Sequence, residues 1–272
     1  MKKIDCPPIS LVRRRLLQGA VGALGGAVLG NGAASPERRT YCLLHGSTHG
    51  PGGWRWLAQE LRRLGHRVLT PNVPYEDAAT STERCISAID AQLRGAPVSD
   101  PLVVVAHSIS GLLLPAVAAH NHAAQLVYIA AAVPAPGLSF RQQFERTPDM
   151  YWADWVEAGH RSAKDEAVAR RFLYHDCEPA VVAEIKRHRI QFAAKRIWLD
   201  VFADRHPEVP ARYLVCAQDR VFQPGWMRRA AQDTAGAAPE EFDSGHCPHL
   251  AAPRALAQAL SRDAGDDAGQ AK

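Results

Sequence analysis

The sequence predicts an α/β fold in which a mostly parallel, doubly wound sheet carries a helical cap insertion. Three observations lead to this prediction. Short apolar runs alternate with segments of helical periodicity from residue 41 to residue 129. These runs are apolar on both faces, which is typical of parallel strands buried between two layers of helices. The alternation stops over residues 134–210 and resumes at residue 213.

Each element follows from its local sequence. The predicted strands are short apolar or β-branched runs at 41–45, 67–69, 102–106, 126–129, 213–217 and 240–242. The predicted helices, with apolar residues at i, i+3 and i+4 spacing, cover 54–64, 82–93, 110–119 and 253–261. A further helix begins at Pro224, a residue suited to the first turn. Thr80 and Ser81 are candidate N-caps of the second helix, and Gly65 ends the first.

The insertion at about 134–210 is charged and rich in aromatic residues. We expect it to form a cap over the sheet, with an apolar pocket on its inner face. Most of its aromatic side chains are expected to pack between cap helices. Trp152 and Trp155, three residues apart, are the pair expected to contact a substrate.

The composition is that of a globular chain with a full core. Its 47% hydrophobic and 22% charged residues exclude disordered, collagen-like and disulfide-stapled chains. The formal charge of +4 comes from the first 34 residues, where Lys2, Lys3 and Arg13–Arg15 face a single acid, Asp5. The remaining residues carry equal numbers of basic and acidic side chains. No nucleic-acid partner is therefore expected.

The N-terminus has the three-part layout of an export signal. Basic residues precede a weakly apolar run, Gly19–Leu29, and then small residues up to Ala34. The sequence Arg13-Arg14-Arg15-Leu16-Leu17 resembles a twin-arginine signal, so we expect residues 1–34 to be removed and residues 35–272 to be periplasmic or secreted. A membrane anchor is the alternative, but spanning takes about 20 apolar residues. We expect no stable membrane span in the mature form, and a homodimer is left open.

Six cysteines are present, of which Cys6 would leave with the signal. The remaining five are Cys42, Cys85, Cys177, Cys216 and Cys247. Because five is an odd number, at least one has no intramolecular partner. Those in the predicted strands are expected to be buried thiols, and a disulfide among the five is left open.

A serine follows the third predicted strand directly, and a helix follows the serine. The segment Ala106-His107-Ser108-Ile109-Ser110-Gly111 places small residues two positions before and after Ser108. A sharp strand-to-helix turn needs small neighbours, and it exposes the serine hydroxyl. The pattern indicates that Ser108 is a nucleophile.

A serine nucleophile needs a base and a carboxylate that orients it, in the chain order serine, acid, histidine. His246 lies after a short strand and before the last helix, and Asp219 follows a late strand. Asp243 is the alternative acid, although it is close to His246 along the chain. A metal pair of His246 and His249 is also conceivable, but no third ligand has suitable spacing, so no metal and no cofactor are expected.

The tetrahedral oxyanion of an acyl transfer needs two backbone N–H donors. Ile109, which follows the serine, is one candidate, and Ser47 in the Gly-rich loop after the first strand is the other. His49, in the same loop, is expected to contact substrate. These residues predict an acyl transfer to a serine hydroxyl.

The same segments resemble the α/β-hydrolase superfamily, and within it the plant methylesterases such as salicylate methylesterase and the hydroxynitrile lyases. The motifs that carry the resemblance are Leu43-Leu44-His45-Gly46, the Ser108 turn, Cys216-Ala217-Gln218-Asp219-Arg220 and Gly245-His246-Cys247-Pro248-His249. The lyases have a threonine where this chain has Gly46 and a lysine where it has Cys247. The resemblance therefore implies ester hydrolysis rather than cyanohydrin cleavage, with a small-molecule ester as the reaction partner.

The resemblance implies a serine carboxylesterase that acts on small hydrophobic or aromatic esters through an acyl-enzyme. Three alternatives stay open. One is hydrolysis of another bond, such as an amide, thioester or carbon–carbon bond. The second is a non-catalytic protein that binds hydrophobic ligands, and the third is an interfacial lipase. Dehalogenases and epoxide hydrolases of the same fold use an aspartate nucleophile, which Ser108 replaces here.

Overall fold

The computed structural model describes residues 37–96, 99–202 and 206–262. The expected export signal at residues 1–34 lies outside these ranges. Within them, six strands form one parallel sheet in the order β2-β1-β3-β4-β5-β6. The strands are β1 Thr40–Leu44, β2 Arg67–Leu69, β3 Leu102–His107, β4 Gln125–Ile129, β5 Ala211–Cys216 and β6 Pro239–Phe242.

Ten α-helices accompany the strands in the described residues. They are α1 Arg55–Arg63, α2 Thr82–Arg94, α3 Leu114–His120, α4 Phe140–Arg146, α5 Ala153–Ala158, α6 Glu166–Phe172, α7 Pro179–Ile185, α8 Pro224–Arg229, α9 Pro248–Ala251 and α10 Pro253–Ser261. Helix α1 packs against α10, and α2 packs against α3. None of these helices has the length and the apolar character needed to cross a membrane.

The neighbouring strands β1 and β3 are the fully buried part of the sheet. Every residue of β1 and of β3 is buried, and the register pairs Leu43 with Val105 and Leu44 with Ala106. The uniformly apolar sequence of these strands is thus explained by burial on both faces, as predicted. The strand order reverses between β1 and β3, because β2 lies on one side of β1 and β3 on the other. Ligands of open α/β sheets bind at the carboxyl ends of strands at such a point.

Helix boundaries follow local signals. Ser81 caps α2 by accepting a hydrogen bond from the Arg84 amide, and Gly65 follows α1 with a φ of 91°. The predicted helix at 110–119 is instead divided into a 3₁₀ turn, Ser108–Leu112, and α3. Pro115 lies in the first turn of α3, where its missing N–H costs no hydrogen bond, and this favours a new helix start there.

Between β4 and β5 the chain forms helices α4 to α7 and adds no strand to the sheet in its described part. We call the described residues between Ile129 and Ala211 the cap segment. Capping at Ser139 and Asp165 starts two of its helices, and Pro179 lies in the first turn of α7.

Candidate active site

The serine predicted as nucleophile lies in a strained turn at the carboxyl end of β3. Ser108 has a φ of 57°, in the left-handed region that few residues other than glycine adopt. Three residues later, a Cβ atom on Gly111 would lie 2.0 Å from the carbonyl oxygen of Ala132. Only glycine permits this close approach. The turn therefore follows from the small residues around the serine, as the sequence indicates.

Three side chains form a continuous hydrogen-bonded chain at this end of the sheet. Ser108 Oγ lies 3.2 Å from His246 Nε2, and His246 Nδ1 lies 2.9 Å from Asp219 Oδ2. His246 is 3% exposed and Asp219 is 2% exposed. A carboxylate beside Nδ1 keeps the imidazole proton on that atom, which leaves Nε2 as an acceptor for the serine proton. This arrangement can raise the nucleophilicity of a serine hydroxyl.

Asp219 is held in place by the backbone that follows it. Its Oδ1 accepts hydrogen bonds from the amides of Val221 at 2.6 Å and Phe222 at 3.1 Å. Asp243, the alternative acid in the sequence, is exposed and accepts a hydrogen bond from Gln218 Nε2 at 2.5 Å. The structure thus places Asp219, and not Asp243, against the imidazole.

The loop after β1 lies directly beside the serine. A Cβ atom on Gly46 would lie 3.1 Å from the Cβ of Ser108. His45 Nε2 accepts a hydrogen bond from the Val73 amide at 3.0 Å, so its Nδ1 carries the proton and donates to the Gly46 carbonyl oxygen at 3.0 Å. That carbonyl and the Ser47 amide belong to one planar peptide unit. The His45 contact therefore fixes the direction of the Ser47 N–H.

Ile109 and Ser110 complete the backbone around the serine. The Ile109 amide lies in the first turn of a 3₁₀ helix, where amides have no acceptor within the helix. Ser110 Oγ donates to the carbonyl oxygen of His45 and accepts from the Tyr75 hydroxyl at 2.7 Å. The sequence singled out Ser110 only for its small size, but its hydroxyl also joins the two loops that carry the predicted oxyanion donors.

The sequence that forms these loops and strands matches a known protein family. A family described as "Alpha/beta hydrolase family" matches residues 43–259, which include the end of β1, the Ser108 turn, Asp219 and His246. The chain belongs to the alpha/beta hydrolase family. The predicted fold class is thereby confirmed.

Individual relatives of this hydrolase are distant. A carbendazim hydrolyzing esterase from Nocardioides sp. (strain SG-4G) is 25% identical over 225 residues, covering 69% of this chain and 88% of that protein. A pyrethroid hydrolase from Sphingobium faniae JZ-2 has a TM-score of 0.65 at 18% identity, covering 82% of this chain and 96% of that one. A methylesterase from Arabidopsis has a TM-score of 0.63 at 16% identity, covering 81% and 96%.

Buried histidines surround His246 in this alpha/beta hydrolase. His107 Nε2 donates to the His246 carbonyl oxygen at 2.7 Å, and the His249 ring lies 4.7 Å from the His107 ring. Burial holds the pKa values of His107 and His49 well below the usual range. Burial, together with the nearby His246, lowers the pKa of His249 to about 3. All three rings are therefore neutral near pH 7.

A carboxylate of the cap segment holds the loop that carries His246. Asp176 Oδ2 accepts hydrogen bonds from Ser244 Oγ at 2.7 Å and from the Gly245 amide at 2.6 Å. A Cβ atom on Gly245 would lie 2.7 Å from Asp176 Oδ1, so a larger residue at this position would displace the carboxylate. Sequence reasoning missed Asp176, because no motif or periodicity marks a contact between residues about 69 positions apart.

A cavity of about 530 Å³ is bounded by Ser47 and by aromatic side chains of the cap segment, including Trp155. The other two predicted substrate contacts lie elsewhere. Trp152 is 41% exposed, and its indole N–H donates to the Asp219 carbonyl oxygen at 2.8 Å in a separate surface cleft. His49 is 3% exposed, and its Nε2 lies 2.6 Å from the Tyr174 hydroxyl.

The cysteines of the described residues form no disulfide, and their neighbours form no metal site. The five cysteines of residues 37–262 are buried and free, so no disulfide joins them. Burial is the main cause that raises the pKa of Cys85 and of Cys177, each to about 12. In the described ranges, no group of three or more His, Cys, Asp or Glu side chains is arranged to hold a metal ion.

Proposed function

We propose that the protein is a serine carboxylesterase that hydrolyses small hydrophobic or aromatic esters. The observation that carries the proposal is the continuous hydrogen-bonded chain from Ser108 through His246 to Asp219. The family assignment adds support, and so does a distant relative described as an esterase. A cavity with aromatic walls next to the Ser47 loop offers space for an apolar substituent of the ester.

The mechanism follows from the positions of these groups. His246 Nε2 takes the proton of Ser108 as Oγ forms a bond to the ester carbonyl carbon, and the carbonyl oxygen becomes an oxyanion. The amides of Ser47 and Ile109 donate hydrogen bonds to that oxygen. The imidazolium then gives its proton to the departing alkoxide, the ester C–O bond breaks, and Ser108 keeps the acyl group.

Water completes the cycle. His246 takes a proton from a water molecule as the water oxygen attacks the acyl carbon, and a second oxyanion forms between the same two amides. Collapse of this intermediate breaks the bond to Ser108 Oγ, which recovers the proton from His246, and releases the free acid. Asp219 stays ionised and stabilises the imidazolium in both halves.

Labelling with a fluorophosphonate probe tests the proposal, because such probes react with activated serine hydroxyls. We expect peptide mapping to find the label on Ser108, and we expect turnover of 4-nitrophenyl esters of short or aromatic acids. Ser108→Ala and His246→Ala should each lower kcat by about 10⁴-fold or more. Circular dichroism checks that both variants are folded.

An exposed serine on α2 provides the matched control. In Ser87→Ala, labelling of Ser108 and turnover should equal those of the wild type, because Ser87 lies on the surface of α2. Turnover by a folded Ser108→Ala variant at the wild-type rate would contradict the proposal. Absence of both labelling and turnover in the folded wild type would favour a non-catalytic binding protein.

A further inference from the structure

The cavity beside the Ser47 loop has aromatic walls and a net positive charge. Trp155, Phe192 and Trp198 contribute aromatic surface, and Arg189 and Lys195 contribute two cations. No aspartate or glutamate is found among the described residues that line the cavity. Neither cation forms a salt bridge with a carboxylate in the described part of the chain. The cavity therefore has a positive charge that the protein itself does not neutralise.

Arg189 has a fixed position next to the site. A backbone bridge joins it to His49, and the Ile190 amide donates to the Thr48 carbonyl oxygen at 3.2 Å. Thr48 is the neighbour of Ser47, the predicted oxyanion donor, and both line the cavity. The backbone that carries Arg189 is therefore attached to the same loop that contacts the reacting carbonyl group in the proposed mechanism.

The Arg189 guanidinium is incompletely paired. Nη1 donates to the Ala163 carbonyl oxygen at 3.3 Å, whereas Nη2 is fully buried and has no hydrogen-bond partner among the described residues. The guanidinium also interacts with the Tyr174 hydroxyl, and its charge and a side-chain hydrogen bond oppose the rise in pKa that burial causes. The donor that stays unused is therefore Nη2. A buried donor without an acceptor is costly, and a carboxylate is the acceptor that best matches a guanidinium.

We propose that this cavity binds a carboxylate carried on an aromatic group of the substrate, with Arg189 as its main partner and Lys195 as a second cation. The inference rests on the proposed esterase function and names its substrate class: aromatic esters that bear a second, free acid group. The aromatic ring packs against the tryptophan and phenylalanine side chains of the cavity, and the free acid takes the unused donor of Arg189.

A matched pair of compounds tests this specificity. The two compounds are 3-acetoxybenzoate and the neutral 3-acetoxybenzamide, which differ at one ring substituent. Both are titrated against the Ser108→Ala protein, with the tryptophan fluorescence of the cavity as the binding signal, and both are given to the wild-type enzyme for turnover. We expect the anion to bind about 10-fold or more tightly than the amide, with a preference that decreases as sodium chloride is added.

Charge-removing variants assign the preference to the cavity. Arg189→Met in the Ser108→Ala background should reduce the ratio of the two affinities to about 1, and Lys195→Met should lower it by about 3-fold. Arg189→Lys should retain part of the preference. Arg187→Met is the matched control, because Arg187 is an exposed neighbour that does not line the cavity. The ratio of the two affinities in this variant should equal that of the Ser108→Ala protein.

The outcomes separate this inference from the proposed function. Equal affinities for the two compounds, or an unchanged ratio in both Arg189→Met and Lys195→Met, would overturn the inference and leave the esterase proposal intact. No hydrolysis of either compound or of 4-nitrophenyl esters would count against the esterase proposal, while the binding ratio still decides whether the cavity selects an anion. Lys195 is exposed, so its variant is expected to fold even if the Arg189 variant does not.

Discussion

At the scale of single residues, the two oxygens of Asp219 have separate tasks. One accepts from two backbone amides, and the other faces His246 Nδ1. An asparagine at this position would keep its carbonyl oxygen on the amides and turn its NH₂ group toward the imidazole. His246 would then need Nδ1 as an acceptor and would carry its proton on Nε2, the wrong nitrogen for removing a proton from Ser108.

Asp219→Asn is therefore expected to lower kcat by about 10³- to 10⁴-fold with a small change in KM. Asp243→Asn is the matched control, since Asp243 is exposed and contacts Gln218 rather than His246. It should stay within about 3-fold of the wild type. The measurement is steady-state hydrolysis of a 4-nitrophenyl ester. A larger loss in Asp243→Asn than in Asp219→Asn would mean that the acid is misassigned.

Chain order and local context predicted the residues that the structure brings together at Ser108. Each of them lies in the loop or turn that follows a strand, so their position is encoded in short segments of sequence. Arg189 and Asp176 were not predicted, because they reach the site through contacts that only the folded cap segment creates. Trp152 and Trp155 share a helical spacing, yet Trp155 lines the cavity and Trp152 donates to the Asp219 carbonyl oxygen.

At the scale of elements, the cap segment and the loop after β6 are linked through Asp176. Both bonds that Asp176 Oδ2 accepts come from the two residues that precede His246. The position of the imidazole is therefore determined partly by the cap and partly by the sheet. A charge-assisted hydrogen bond of this kind contributes about 1.5 to 3 kcal/mol.

Asp176→Ala should lower the free energy of unfolding by about 2 to 3 kcal/mol and kcat/KM by about 10-fold, because the His246 loop loses two of its anchors. Ser244→Ala removes only the hydroxyl bond and keeps the one to the Gly245 amide, so both losses should be smaller. Urea denaturation and ester hydrolysis measure the two quantities. If both variants kept wild-type stability and activity, the link would have no energetic role.

Strands, the long helices and the start of α8 at Pro224 were predicted closely, and other short helical segments were not. The last helix, Pro253–Ser261, has the bounds that the sequence indicated. The strand ends lie within one residue of the prediction, except that β5 starts two residues earlier. The turn of Ser108–Leu112 and the four residues of α9 were missed. Their geometry depends on close contacts with neighbouring strands and helices, and such contacts leave no periodic pattern in the sequence.

At the scale of the whole molecule, the parallel sheet brings together the ends of β1, β3, β5 and β6. Five buried histidines lie there, namely His45, His49, His107, His246 and His249. His49, His107 and His249 are neutral in the folded chain because burial lowers their pKa values. In the unfolded chain each accepts a proton near pH 6.5. Below that pH the unfolded state binds more protons, so the folded state loses stability as the pH falls.

The free energy of unfolding should therefore decrease between about pH 7 and pH 4, by up to about 1.4 kcal/mol per pH unit for each of these histidines. Urea denaturation at pH 7.5, 6 and 5 measures the slope. His249→Gln should reduce the dependence of the unfolding free energy on pH by about 1.4 kcal/mol per pH unit, because glutamine does not take up a proton on unfolding. A stability that is constant over this range would contradict the burial of neutral rings.

The left-handed backbone of Ser108 also has an evolutionary consequence. A residue with a side chain costs about 1 kcal/mol or more in this conformation, whereas glycine adopts it freely. A glycine at position 108 would thus relieve the backbone strain of the turn but would remove the hydroxyl of the proposed nucleophile. The fold keeps a less stable residue at the end of a strand that is buried throughout, and the proposed role of Ser108 as nucleophile accounts for that loss of stability.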